Sequence, residues 1–148
     1  MDIRSITAHE ARVVRWPVLR AGLPADTTIL EHDDDPDTRH FGVFEGGRLV
    51  GVATFFPERC PVKPGPRAWR LRGMATLPEL QRRGAGRALV AEGVRVAEAA
   101  GAEIMWCQAR TSARGFYESL GFIALGDEFD LPIAGPHYWM IKDLEPRA

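Results

Sequence analysis

Cysteine is scarce in this chain: Cys60 and Cys107 are the only two in 148 residues, and no C-x-x-C spacing joins them. That excludes a disulfide framework and makes a reducing, cytoplasmic compartment the expectation. Residues 1–10 lack the apolar core of a secretory signal, and arginines or acids interrupt every apolar run well short of the roughly 20 residues a membrane-spanning helix needs. An excess of one charge is lacking too, since 19 basic against 20 acidic residues leave a formal net charge of −1. Such a balance offers no broad basic field, so neither nucleic acid nor an anionic membrane is an expected partner. Repeats and low-complexity segments are absent. What is present is an ordinary globular composition, 45% hydrophobic, at a length that suits one domain spanning 1–148.

Along the chain, Thr7-Ala8-His9-Glu10 has the form of a capping box and predicts a helix start. Trp16-Pro17 predicts its bend or end, because proline removes a donor and restricts the residue before it. The acidic stretch 25–39 reads as a solvated loop and not as a metal site, since consecutive aspartates do not converge without a scaffold; no metal is expected. Two strands, 40–44 and 49–56, flank Gly46-Gly47 as a hairpin. A proline-rich loop, 57–66, leads to a strand over 69–76 that contains Gly73. The spacing of Leu89, Val90, Val94 and Ala97 predicts a helix over 83–100, capped by Gly101. A strand at 103–108, a short helix near 112–120 and strands near 122–129 and 137–144 complete the pattern, a mixed sheet covered by helices.

The segment from Met74 to Leu89 is a strand end, a short loop and a helix start rich in glycine and arginine. The first N–H groups of a helix have no intrahelical partner and carry positive partial charge, and glycine lets backbone approach a pyrophosphate closely. Arg82, Arg83 and Arg87 add cationic donors. A Walker A loop is excluded because Arg87-Ala88 stands where Lys-Ser/Thr is required, and a dinucleotide fingerprint because Leu89 stands at its third small position. Taken alone, Gln81-x-x-Gly84-x-Gly86 fits a phosphate loop and a tight turn with solvated arginines equally well.

Together with Ala113-x-x-x-Tyr117-x-x-x-Gly121-Phe122, that hexapeptide resembles the GNAT (GCN5-related N-acetyltransferase) family, whose pyrophosphate loop has the form Q/R-x-x-G-x-G/A. Within it, Cys107 to Arg110 and Pro136 to Met140 resemble a subgroup of small single-domain members, although many relatives carry asparagine at the position of Arg110. The resemblance implies an α/β (α+β) fold: a mixed, mostly antiparallel sheet of six to seven strands, splayed at the centre and flanked by about four helices. It implies acetyl-CoA as co-substrate, with pantetheine lying between the strands that end near Thr76 and Gln108. Met74, Ala75 and Thr76 would contact it, and Gln81, Arg82, Arg83, Gly84, Ala85, Gly86, Arg87 and Ala88 would hold the pyrophosphate. Gly73 would either aim a backbone N–H at the thioester carbonyl or serve as a packing glycine.

The same resemblance makes Tyr117 the general acid that protonates the departing CoA thiolate, in direct transfer to an amine within a ternary complex. Cys107, on an apolar strand, is expected to be a buried hydrophobe and not a nucleophile. His40, Glu128, His137 and a water chain are the alternatives for the base. The acceptor, an amine on a small molecule or peptide, is expected near Trp16, Arg20, His40, Phe129, His137, Tyr138 and Trp139. Arg70 and Arg72 would either bind an acceptor carboxylate or be solvated. A homodimer is common in the family. A non-catalytic acyl-CoA-binding, sensing or interaction protein on the same fold is the alternative function, which Tyr117 and the intact loop disfavour.

Overall fold

The structure is a computed structural model and describes residues 1–81 and 84–147. Its strands are β1 (Asp2–Ser5), β2 (Arg39–Glu45), β3 (Arg48–Pro57), β4 (Ala68–Thr76), β5 (Ile104–Arg110), β6 (Ile123–Leu131) and β7 (Gly135–Asp143). They form one seven-stranded sheet in the order β1-β2-β3-β4-β5-β7-β6. Among the described residues there are three α-helices, α1 (Ala8–Leu19), α2 (Ala85–Ala99) and α3 (Arg114–Ser119), where about four helices were expected. The shortfall lies after α1, where Pro24 introduces only a 3-10 turn, Ala25–Thr28. Two compact units divide the chain, one of residues 1–56 and 71–96, the other of 57–70 and 97–148.

In the first unit the capping box forms as its residue types dictate: Glu10 N–H donates to Thr7 Oγ1 at 3.1 Å, and Thr7 N–H to Glu10 Oε1 at 2.9 Å. The helix does not stop at Pro17; it runs on to Leu19 and is capped by Arg20, whose N–H donates to the Trp16 carbonyl at 3.1 Å. Val13, Trp16 and Pro17 are exposed, so the Val13 carbonyl that loses its proline partner lies on the wet side of the helix, where water replaces the missing donor. Ala11 and Val14, on the opposite side, pack with Val52 and Ala75. The β2–β3 hairpin pairs from Arg39↔Phe55 to Glu45↔Arg48 around Gly46-Gly47, with an irregularity at Val43/Phe44.

A Cβ built on Gly93, in the interior of α2, would lie 2.1 Å from Phe55 Cε1, a ring with no exposed surface. Alanine in a helix interior ordinarily gains about 1 kcal/mol over glycine. Here the overlap dominates, and Gly93→Ala is expected to destabilise by roughly 1–3 kcal/mol; a denaturant melt showing a gain would refute the packing assignment.

In the second unit β4 pairs parallel with β5 from Ala68↔Ile104 to Arg70↔Trp106, and β5 pairs antiparallel with β7 from Ile104↔Asp143 to Arg110↔His137. Cys60, Ala68, Ile104, Trp106 and Ile141 form its core, with Trp139 against them. Helix α3 ends as its Gly-Phe pair requires: Gly121 N–H returns to the Glu118 carbonyl at 3.1 Å and Phe122 N–H to the Tyr117 carbonyl at 3.1 Å. Gly121 adopts φ +92°, which a side chain would strain.

Candidate functional site

Ala88 N–H donates to the Gly84 carbonyl at 3.0 Å in the first turn of α2, and the N–H groups of Ala85, Gly86 and Arg87 have no helical partner among the described residues. No acidic residue stands in this first turn, and Arg87 is exposed. Gln81 Nε2 donates to the Thr76 carbonyl at 3.2 Å, tying the loop to the end of β4, where Met74 and Thr76 are half-buried and Ala75 is buried. N–H groups unpartnered among the described residues, helix polarity and a first turn without an acid fit a pyrophosphate. Arg82 and Arg83, expected to assist, lie outside the described residues.

Behind β4 is a buried charged network. Arg15, 1% exposed, donates through Nη1 to Asp33 Oδ2 at 2.7 Å and to the Thr28 carbonyl at 3.0 Å, and through Nη2 to Asp33 Oδ1 at 3.0 Å and Thr54 Oγ1 at 2.7 Å. His40 sits 2.8 Å from Thr54 Oγ1 through Nδ1 and 2.9 Å from the Asp33 carbonyl through Nε2. A carbonyl only accepts, so Nε2 carries the proton, and Thr54, which accepts from Arg15, donates its hydroxyl to Nδ1. Both nitrogens of His40 are thereby engaged, which leaves it no lone pair for a base. Asp33 departs from the solvated-loop expectation: it is buried. Burial pushes its carboxyl up, but the Arg15 hydrogen bond, the Leu30 N–H and the Arg15 charge together hold it below the ordinary value.

Gly73 has φ +65°, and a Cβ there would lie 2.8 Å from Arg15 Nε. A left-handed backbone and a guanidinium at the position of the missing side chain both require glycine.

In the second unit Tyr117 is 5% exposed, with its ring edge-on to Phe116 at 5.1 Å and Phe122 at 5.4 Å. Burial, and secondarily Cys107, push its hydroxyl well above the ordinary phenol value, so it is protonated at neutral pH. Cys107 is buried, and burial pushes its thiol up to about 12 against the opposing pull of Arg70, which suits a hydrophobe and not a nucleophile.

The remaining candidates have defined partners. Arg70 is not solvated: it reaches Gln108 Oε1 at 3.0 Å and Glu58 Oε2 at 3.4 Å and lies 4.7 Å over the Trp106 ring, with Nε enclosed and unpartnered among the described residues. Trp139 stacks on Phe129 at 5.4 Å. Tyr138 lies under the Arg114 guanidinium at 4.5 Å, and Glu128 accepts from Thr111 Oγ1 at 2.7 Å. His137 is buried and donates through Nδ1 to the Gly135 carbonyl at 2.7 Å, which leaves Nε2 as its lone-pair nitrogen. Trp16 is exposed and donates through Nε1 to the Leu23 carbonyl at 2.9 Å. The Arg12, Arg15 and Asp33 cluster was not singled out by motif. Its signal was an arginine placed on the apolar stripe of α1, four residues after Ala11 and beside Val14.

No helix among the described residues is long and apolar enough to cross a membrane. The model of the acetyltransferase (GNAT) family matches residues 6–122. Uncharacterized N-acetyltransferase YitI of Bacillus subtilis (strain 168) is 32% identical over 144 residues, 97% of each chain. Aminoglycoside 6'-N-acetyltransferase complexed with coenzyme A superposes with a TM-score of 0.78 at 15% identity, covering 100% of this chain and 99% of its own. The ribosomal-protein-S18-alanine N-acetyltransferase from Escherichia coli does so at 0.73 and 19% identity, covering 99% and 96%. With the family model matched over most of its length and the sheet order to go with it, the chain belongs to the GNAT acetyltransferase family, whose chemistry is acyl transfer.

Proposed function

We propose that the chain moves an acetyl group from acetyl-CoA directly to an amine of a small molecule or peptide. The observation that carries this reading is the start of α2, with three N–H groups unpartnered among the described residues, no acid in its first turn, and a loop fastened to β4 by Gln81. The Gly84 to Ala88 turn would hold the pyrophosphate, and the backbone from Met74 to Thr76 would hold the pantetheine arm as an added strand. As the neutral amine attacks the thioester carbonyl, a backbone donor near Gly73 stabilises the oxygen that gains charge. The new C–N bond then replaces the C–S bond, Tyr117 gives its proton to the departing sulfur, and the amine proton leaves to a base. Of the histidines, His137 retains a lone pair for that purpose and His40 does not. A thiol held near 12 at Cys107 argues for direct transfer without an acyl-enzyme. The buried free thiols Cys60 and Cys107 suit a cytoplasmic protein.

Calorimetric titration of acetyl-CoA into the wild type and into Gly86→Glu tests the reading. A carboxylate placed in the first turn of α2 repels a pyrophosphate, and affinity is expected to fall by at least about tenfold, equivalent to about 1.4 kcal/mol. Equal affinity in the two proteins would refute the phosphate role, and absence of wild-type binding would refute the donor. Thiol release with a panel of amines then separates a catalyst from a protein that only binds the acyl-CoA.

A further inference from the structure

Helix α1 presents two arginines, one turn apart, to a single carboxylate. Arg15 takes Asp33 in a two-pronged ion pair, and Arg12 Nη2 approaches the same Asp33 Oδ2 at 3.5 Å. Asp33 has little left to offer: Oδ2 already accepts from Arg15 Nη1 and from Leu30 N–H at 3.0 Å, and Oδ1 from Arg15 Nη2. The other groups bonded to Arg15, the Thr28 carbonyl and the Thr54 hydroxyl, are neutral. Two guanidinium charges against one carboxylate leave the cluster one positive charge in excess, with Arg15 1% and Arg12 23% exposed at the side chain. Moreover, Arg12 Nε and Arg15 Nε are both enclosed and have no hydrogen-bond partner among the described residues, a state they share with Arg70 Nε, whose guanidinium, unlike this pair, has a carboxylate of its own in Glu58. Arg15 Nε lies against Gly73, where a Cβ would come within 2.8 Å, so the surplus charge is open to a ligand only at Arg12, and the group that matches it is an oxyanion able to accept from a guanidinium edge. Arg12, the more exposed of the pair, supplies the approach from solvent. Arg15, with four of its five N–H groups engaged, holds Asp33 and with it the geometry of the cluster.

We propose that Arg12, supported by Arg15, forms a subsite for a carboxylate of the acyl acceptor, so that the substrate is an amino acid or another small amine bearing a carboxylate. The proposal rests on the acyl-transfer reading for the identity of the ligand and on the charge balance of the cluster for its chemistry. It replaces Arg70, whose charge is matched by Glu58 at 3.4 Å, as the place where an acceptor carboxylate is read.

The test is calorimetric titration of the standard amino acids and their α-carboxamides into the wild type and Arg12→Gln, with acetyl-CoA titrated in parallel. Arg12 is chosen because Arg15 is the buried member, whose loss would compromise folding. In the wild type at least one amino acid is expected to bind about tenfold or more tightly than its carboxamide, the worth of one charge-assisted contact. In Arg12→Gln the two should bind alike, with acetyl-CoA affinity unchanged. Carboxamides binding as well as acids, a preference that survives in Arg12→Gln, or no binding by any acid would each overturn the subsite. A loss of acetyl-CoA affinity in Arg12→Gln would assign the excess charge to a cofactor phosphate and overturn it as well. Failure of acetyl-CoA to bind the wild type would instead refute the acyl-transfer reading, and an acid-over-amide preference abolished by Arg12→Gln would still stand by itself.

Discussion

Tyr117→Phe is expected to lower turnover by about 10²- to 10⁴-fold, the range removed with a positioned general acid, while acetyl-CoA affinity and thermal stability stay close to wild type. Phenylalanine keeps the ring that packs edge-on against Phe116 and Phe122, and only the hydroxyl is lost. The proton of that hydroxyl is held tightly, because burial and then Cys107 push it well above the ordinary phenol value of about 10. A phenol so raised is a weaker acid than a solvated thiol of about 8.5, and donation to a thiolate in water would be uphill. Burial acts on thiols in the same direction, and it pushes the neighbouring Cys107 up to about 12. A departing thiolate enclosed beside Tyr117 would be raised by the same burial, which narrows the gap between the two partners. A pH corollary follows, since the acid must be protonated to act. No fall in kcat below about pH 10 should trace to Tyr117, and any alkaline limb found there should persist unchanged in shape in the phenylalanine variant. Turnover that survives the substitution would remove the role.

The elements whose signals are local were legible in the sequence. Thr7 and Glu10 satisfy one another within one turn, Gly46-Gly47 sets its hairpin by backbone geometry, and Tyr117, Gly121 and Phe122 close α3 on themselves. Each involves residues a few positions apart, where type and spacing determine the outcome. Of the two outcomes Pro17 allowed, a bend or an end, the helix does not end there, because a missing donor terminates a helix only where water cannot replace it, and which side of α1 is wet is settled by tertiary packing. The residues around the candidate site were less legible still. Arg15 finds its partners 13, 18 and 39 positions away, and Arg70 meets Gln108 38 positions away. No periodicity specifies such meetings. His40 read as an available base because its type allows that chemistry, but Thr54 and the Asp33 carbonyl occupy both of its nitrogens. Asp33 was indistinguishable from Asp34, Asp35 and Asp37 in sequence, yet it alone of the four is buried.

That difference between neighbouring aspartates makes the last prediction specific. Asp33→Asn should destabilise the protein by about 3–5 kcal/mol, the usual consequence of breaking a buried ion pair, while Asp34→Asn should stay within about 0.5 kcal/mol of wild type. Asparagine keeps the shape of Asp33 but removes its charge, and it turns an amide NH₂ toward a guanidinium that can only donate. Arg15 and Arg12 are then left without their shared counter-ion. For a chain of this length the loss corresponds to a fall of roughly 10 °C in Tm, at about 2–4 °C per kcal/mol. The effect must also depend on pH in one direction. The folded carboxyl lies below its unfolded value of 3.8, so its contribution is fully present above that value and is lost as the pH falls through the folded one. Thermal melts of wild type and Asp33→Asn should therefore differ most above about pH 4, and the gap should narrow as the pH falls below it. A gap that is small at neutral pH, or that stays constant as the carboxyl titrates, would show that the Arg15–Asp33 pair does not hold the first unit together.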